Sequence, residues 1–306
     1  MSERRRLAGR RRVVVKIGSA VLAERPETIA ELATDIVETM GGKRGRKVVL
    51  VSSGAIAIGM TRLGMARRPR AMPALQAAAA AGQGDLIQRW GEAFARHGCV
   101  AAQVLLSHAD LSSRTRANNA RATLTKLLEL GAIPVINEND AVAVDEIKFG
   151  DNDELAAMVT PLCDGDLLVL LSDVDGVLDH EGHRVPHASD VDALVPFVRA
   201  GKSRVGSGGM GSKLESARRG TLAGADVVIA SAREPQVLSR LVAGEDLGTL
   251  ITARERRLSG RKHWIAYTLR PRGAALVDEG AAVAIEEDHE FQLNGSTACE
   301  LIGISE

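Results

Sequence analysis

Five polar clusters stand out in this chain, and the first four follow short aliphatic runs. They are Lys16-Ile17-Gly18-Ser19, Ser52-Ser53-Gly54, Asn137 to Asp140, Ser172-Asp173 and Gly206 to Lys213. Any one of them could be turn chemistry. Together they supply lysines, hydroxyls, amides, carboxylates and a glycine-rich loop, which are the materials of an anion-handling site. Lys16 closes the run Val13-Val14-Val15, so its stem is expected to be buried and its ammonium to need a partner, either a phosphate or a carboxylate. In Gly206 to Lys213 the glycines let backbone amides approach phosphate oxygens, and the helix that follows offers its positive end. Lys213 adds a full charge. A surface loop has the same composition, and the segment matches neither GxxxxGK[ST] nor a GxGxxG followed by a βαβ unit with a ribose-binding acid.

Asp151-Asn152-Asp153 admits three readings: a metal site, a helix cap, or acids that orient basic groups. The further acids of a calcium loop are missing, and caps of Asp and Asn are common. His180, His183 and His187 sit in a polar loop and read as surface residues, so no protein metal ligand is assigned. There is no GxSxG elbow, so Ser53 reads as a substrate ligand and not a nucleophile. Phosphoryl transfer suits such a set, because it needs in-line positioning and cations more than covalent help.

The elements that must position these clusters alternate. Strands are expected at Val13–Ile17, Val48–Val51, Val100–Leu106, Ile133–Ile136, Leu167–Leu171 and Val227–Ile229. Between them lie helical patterns, including one opened by Pro26 with a stripe at Ile29, Leu32, Ala33, Ile36, Val37 and Met40. An Ala-rich helix runs from about Pro73 to His97, and close helix packing accounts for Ala77 to Ala81. Alternation of this kind means parallel βαβ crossovers with helices on both faces. In such sheets ligands bind beyond the carboxyl ends of the strands, where all five clusters fall.

Composition narrows the class. Lys plus Arg and Asp plus Glu both number 39, so the chain lacks the basic excess of a nucleic-acid binder. Aromatic residues make up 2%, which leaves Val, Leu, Ile and Ala to build the core of a buried parallel sheet. Three separated cysteines give neither a disulfide framework nor a zinc site, and a reducing cytoplasm is the simplest compartment. No run approaches the roughly 18 apolar residues of a membrane span. The arginines between Arg4 and Arg12 read as a solvated tail with no signal-peptide pattern behind it.

Val-Lys-Ile-Gly-Ser at 15–19, Val-Ser-Ser-Gly-Ala-Ile at 51–56, Ile-Asn-Glu-Asn-Asp-Ala-Val at 136–142, Glu-Ile-Lys-Phe-Gly-Asp-Asn-Asp at 146–153 and Gly-Ser-Gly-Gly-Met-Gly-Ser-Lys at 206–213 resemble the glutamate 5-kinases of the amino acid kinase superfamily. The middle three are the specific ones. The resemblance implies an α/β fold, an αβα sandwich around a mainly parallel sheet. It implies MgATP and L-glutamate as substrates, γ-glutamyl phosphate as product, and the first step of proline biosynthesis. Lys16, Lys213 and Asp151 become catalytic: Lys16 on ATP phosphates, Lys213 on the transferring group, Asp151 orienting the lysines. Ser53, Asp140 and Asn152 become glutamate ligands. Ser172, Asp173, Ser207, Gly208, Gly209, Met210, Gly211, Ser212 and the two lysines become ATP ligands, with Mg2+ carried by ATP. A homo-oligomer and feedback by proline are also implied.

The resemblance divides the chain into a basic tail at 1–11, a kinase domain at 12–255 and a remnant at 256–306. Trp264 to Ile285 resembles the opening of the PUA module that many members carry, but Glu286 to Glu306 does not match it. That module is therefore expected to be absent or a remnant. The rival readings are a kinase of acetylglutamate, aspartate or carbamate, a non-catalytic regulatory member, and RNA binding through the remnant. Gly-Asp-Asn-Asp at 150–153 opposes the first, the two lysines the second, and neutral charge the third.

Overall fold

The computed structural model describes residues 3–24, 27–41, 45–142, 152–198, 209–253, 274–276 and 300–302. In chain order the first half holds β1 (Arg12–Ile17), α1 (Ser19–Glu24), α2 (Thr28–Gly41), β2 (Lys47–Ser52), α3 (Ala55–Arg62), α4 (Met72–Ala95), β3 (Ala101–Leu106), α5 (His108–Ser112), α6 (Arg114–Glu129) and β4 (Ile133–Glu138). Then come α7 (Asn152–Leu162), β5 (Leu167–Ser172), β6 (His187–Ala188), α8 (Met210–Leu222), β7 (Asp226–Ser231), α9 (Val237–Ala243) and β8 (Thr249–Ile251). By contact the chain divides into Met1–Thr268 and Leu269–Glu306. That boundary lies beyond the expected 255/256 division. In the second unit, β9 (Ala274–Leu276) pairs antiparallel with β10 (Glu300–Ile302).

The main sheet has eight strands in the order β3-β4-β2-β1-β5-β7-β8-β6. From β3 to β7 all neighbours are parallel, as the alternating pattern requires. β8 runs antiparallel to β7 and carries β6 parallel to itself, which makes the sheet mixed at that end. Helices cover both faces, so an αβα sandwich results. Val13, Val15 and Ile17 of β1 pack with Leu32, Ile36, Leu86 and Phe94, while Val14 faces the cluster of Leu124, Ala157 and Ala217. The period-two alternation of a strand therefore sends Lys16, two residues after Val14, to the α7 and α8 face.

Of the N-terminal arginines, Arg5, Arg6 and Arg11 are exposed as expected of a solvated tail, but Arg4 and Arg10 are held by the fold. Residues Glu3–Gly9 form a 3-10 turn in which Arg4 is buried, donating to the carbonyls of Pro186 at 2.6 Å and Gly248 at 2.7 Å. Arg10 pairs at 2.6 Å with Asp226, which has no exposed surface. A guanidinium can satisfy several carbonyls at once, so an arginine run need not stay in water.

Candidate active site

Lys16 and Lys213 meet on one acid. Lys16 Nζ pairs with Asp153 Oδ1, and Lys213 Nζ lies 2.8 Å from Asp153 Oδ2. Asp153 sits in the first turn of α7, Lys213 in the first turn of α8, and the two helices are joined again by Glu154 to Arg219 at 2.6 Å. Asp153 has no exposed surface, and both lysines are buried as well. Burial alone would raise the Asp153 carboxyl, but the two ammonium groups outweigh it and hold it below the ordinary carboxylate value. The carboxylate partner that Lys16 needed is thus Asp153. Sequence reasoning missed it and gave the orienting role to Asp151, which lies outside the described residues.

The glutamate-ligand candidates Ser53 and Asn152 are in contact. Asn152 Nδ2 donates to Ser53 Oγ at 2.8 Å and to Asn137 Oδ1 at 2.8 Å. Asn137 Nδ2 donates in turn to Gln83 Oε1 at 2.7 Å. Trp90 Nε1 donates to Ser52 Oγ at 2.9 Å inside the core. The chain turns sharply between β2 and α3 at Gly54, whose φ of 116° is left-handed backbone that favours glycine. Asp140 follows β4 by two residues, and burial pushes its carboxyl up to about 6 with Arg68 opposing. Gln83 and Trp90 were passed over within an Ala-rich helix that also carries Gln76, Asp85, Gln88, Arg89 and Glu92, so residue type alone did not single them out.

At the end of β5, Ser172 Oγ donates to Asp173 Oδ1 at 2.9 Å, and Arg233 Nη1 donates to the Asp173 carbonyl at 3.3 Å. Beside them a cavity of about 300 Å³ is lined by Asp175, Leu178, Arg184, Ser231 and Glu234 among others. Gly209 precedes α8, and Met210, Gly211 and Ser212 form its first turn ahead of Lys213. Ser207 and Gly208 lie outside the described residues. His183 and His187 are exposed, and His180 packs edge-on to Phe197 with ring centroids 5.1 Å apart.

Residues 11–231 match the amino acid kinase family. A glutamate 5-kinase of Pseudomonas paraeruginosa is 48% identical over 300 residues, covering 95% of this chain and 81% of that protein. Those of Pseudomonas syringae pv. tomato and Stutzerimonas stutzeri are each 47% identical over the same shares. Among solved structures, carbamate kinase from Giardia lamblia bound to AMP-PNP superposes with a TM-score of 0.55 at 17% identity, covering 80% of this chain and 99% of that one. That likeness speaks for the fold alone.

Proposed function

Because the chain belongs to the amino acid kinase family, and within it to the glutamate 5-kinases, we propose a division of labour among its residues for that reaction. The reaction is ATP-dependent phosphorylation of the γ-carboxylate of L-glutamate, the first step of proline biosynthesis. A γ-carboxylate oxygen attacks the γ-phosphorus, the bond to the β-bridging oxygen breaks, and ADP leaves with the electron pair. No proton need move, so the protein's task is to bring two anions together and spread charge. Lys16 and Lys213, held as a pair by Asp153, supply that charge: Lys16 on the ATP phosphates, Lys213 on the transferring group. This shared carboxylate is the observation that carries the proposal.

Ser53, Asn152 and Asp140 take glutamate. Ser172 and Asp173, with Gly209, Met210, Gly211 and Ser212 at the start of α8, take ATP, and the cavity beside Ser231 takes its base. Ser207 and Gly208 complete the loop, and Asp151 stands next to this group in sequence. Mg2+ enters on the ATP phosphates. Asp153 fits that assignment, since its oxygens are engaged by the lysines. We further propose a cytoplasmic homo-oligomer with feedback by proline. Among the described residues no helix is long and apolar enough to cross a membrane.

The test is hydroxylamine trapping of the acyl phosphate with MgATP and glutamate. Trapped γ-glutamyl hydroxamate that depends on both substrates is expected. ATP-dependent trapping with carbamate, aspartate or acetylglutamate but not glutamate would overturn the assignment.

A further inference from the structure

Helix α4 brings two polar side chains, seven residues apart and so on one face, to the substrate end of the sheet. Trp90 reaches Ser52, and Gln83 reaches Asn137. The hydrogen bonds beyond Gln83 have a direction. Gln83 Oε1 accepts from Asn137 Nδ2, which leaves Asn137 Oδ1 as an acceptor. Asn137 Oδ1 accepts from Asn152 Nδ2, and the same NH2 group donates toward Ser53 Oγ and the Ser52 backbone carbonyl. An amide nitrogen has two protons, so those of Asn152 are committed inside the protein. Asn152 therefore has its carbonyl Oδ1 to offer a ligand. Ser53, having accepted, has its O–H to offer.

We infer that Gln83 is a positioning residue that holds the polarity of the glutamate pocket in one sense. A carbonyl acceptor at Asn152 then faces an ammonium, and a hydroxyl donor at Ser53 faces a carboxylate. The Ser52 carbonyl can only accept, and it takes Asn152 Nδ2 at 3.3 Å, which turns that NH2 group inward. A reversed amide at Asn137 would then set two NH2 groups against each other at Asn152 and two carbonyls at Gln83, so the Gln83 acceptor holds the far end of the chain in the same sense. The inference rests on the reading of Ser53 and Asn152 as glutamate ligands.

The helix that carries Gln83 is fixed rigidly enough to do this. A Cβ on Gly82 would lie 2.0 Å from the Ala55 carbonyl oxygen, and one on Gly59 would lie 1.7 Å from the Ala78 oxygen. The backbones of α3 and α4 are therefore in direct contact. That contact anchors the residue before Gln83 against the turn that carries Ser53.

The test is a double-mutant cycle on glutamate KM with Gln83→Met and Ser53→Ala. Gln83→Met keeps length and loses the acceptor. It should raise glutamate KM roughly tenfold, the value of one buried hydrogen bond, and leave ATP KM within about twofold. In combination with Ser53→Ala the effects should be clearly less than additive, because both act on one chain. Gln83→Glu retains an acceptor and should raise KM less than Gln83→Met does. An unchanged KM in Gln83→Met, additive effects, a parallel rise in ATP KM, or a Glu variant as impaired as the Met variant would each overturn the inference. If Ser53→Ala alone left glutamate KM unchanged, the ligand reading itself would fail, and the inference with it.

Discussion

Lys213 and Asp153 form a 2.8 Å ion pair in which the acid has no exposed surface. Lys16 occupies the other carboxylate oxygen, so one buried negative charge holds two cations that would otherwise repel. Asp153→Asn removes that charge and keeps the shape. It should lower kcat on the order of 100-fold or more, and Lys213→Ala should do the same, with far smaller changes in glutamate KM. The double variant should be little worse than either single one, because the three groups act as a unit. Hydroxamate kinetics decide it: an unchanged kcat in Lys213→Ala would remove that lysine from the mechanism.

The Asp140 carboxyl, pushed up to about 6 by burial, gives the enzyme a pH signature. As a partner for the substrate ammonium it must be ionised. Glutamate kcat/KM should therefore fall toward tenfold per pH unit below about 6, and Asp140→Asn should lose that inflection along with most of its activity. Stability runs the other way. A raised carboxyl contributes stability that is complete below its ordinary value near 3.8 and is lost as pH climbs through about 6. Asp153, held low, contributes above 3.8 and loses that contribution as pH falls further. A flat kcat/KM profile from pH 5 to 7 would take Asp140 out of substrate binding.

Much of this site was legible because charge stood where aliphatic strands end. Lys16 after three valines had to find a partner, and Ser53 just past β2, Asn137 near the end of β4 and Ser172 at the end of β5 share one edge of the sheet. Asp153 was not legible as the bridge. In Asp151-Asn152-Asp153, spacing alone does not say which acid turns inward, and only the start of α7 at Asn152 places Asp153 in an inward first turn. Helix α3 escaped notice because Gly59 weakens its pattern, and that glycine is required by contact with α4. The antiparallel β8 has three residues, too few to declare a direction. Arg4 and Arg10 were misjudged because their partners, Asp226 and the carbonyls of Pro186 and Gly248, lie far along the chain.

Gly82 and Gly84 lie two residues apart in α4, with opposite expected outcomes. A Cβ at Gly82 would meet the Ala55 oxygen at 2.0 Å and the Gly59 nitrogen at 2.4 Å, whereas one at Gly84 would meet nothing within 4 Å. Gly82→Ala should destabilise by about 1–3 kcal/mol through overpacking and raise glutamate KM, since it displaces the helix carrying Gln83. Gly84→Ala, on an exposed helix face, should stabilise by about 0.5–1 kcal/mol. Urea unfolding of the pair checks both signs, and equal midpoints would contradict the backbone contact.

Asp226 tests the N-terminal segment. Its Oδ2 takes Arg10 at 2.6 Å and Arg6 at 3.1 Å, and its Oδ1 accepts from the Ala253 amide at 2.9 Å. It opens β7, at the opposite edge of the sheet from Ser231 and the proposed ATP site. Asp226→Ala should cost about 2 kcal/mol or more, because charge-assisted bonds and a buried amide lose their acceptor. The KM values for ATP and glutamate should hold. A urea midpoint equal to that of the parent chain would mean that these arginines contribute nothing to the fold.

Substrate choice follows from the polarity of the pocket. Free glutamate carries an α-ammonium, and in the proposed site Asp140 and the Asn152 carbonyl are the groups that receive it. N-acetylglutamate replaces that ammonium with a neutral, bulkier amide. Its single N–H cannot serve both acceptors, and Asp140 would be left partly buried as an anion without its counter-charge, which costs several kcal/mol. A site built to bind a charged group rejects the analogue that lacks it far more strongly than a hydrophobic pocket rejects a missing methylene. The expected ratio of kcat/KM is therefore roughly 1,000-fold or more in favour of glutamate. Aspartate keeps both α groups and fails for a different reason. It is one methylene short, so its carboxylate stops short of the in-line position set by Lys16 and Lys213. It should bind at the ammonium end and turn over slowly, appearing as a weak competitive inhibitor against glutamate. The measurement is hydroxamate formation from the three acids at matched MgATP, repeated with Asp140→Asn. In that variant glutamate should lose most of its advantage over N-acetylglutamate, because the discriminating charge is gone. If Asp140→Asn kept the full ratio, the ammonium would have to be recognised by some other group.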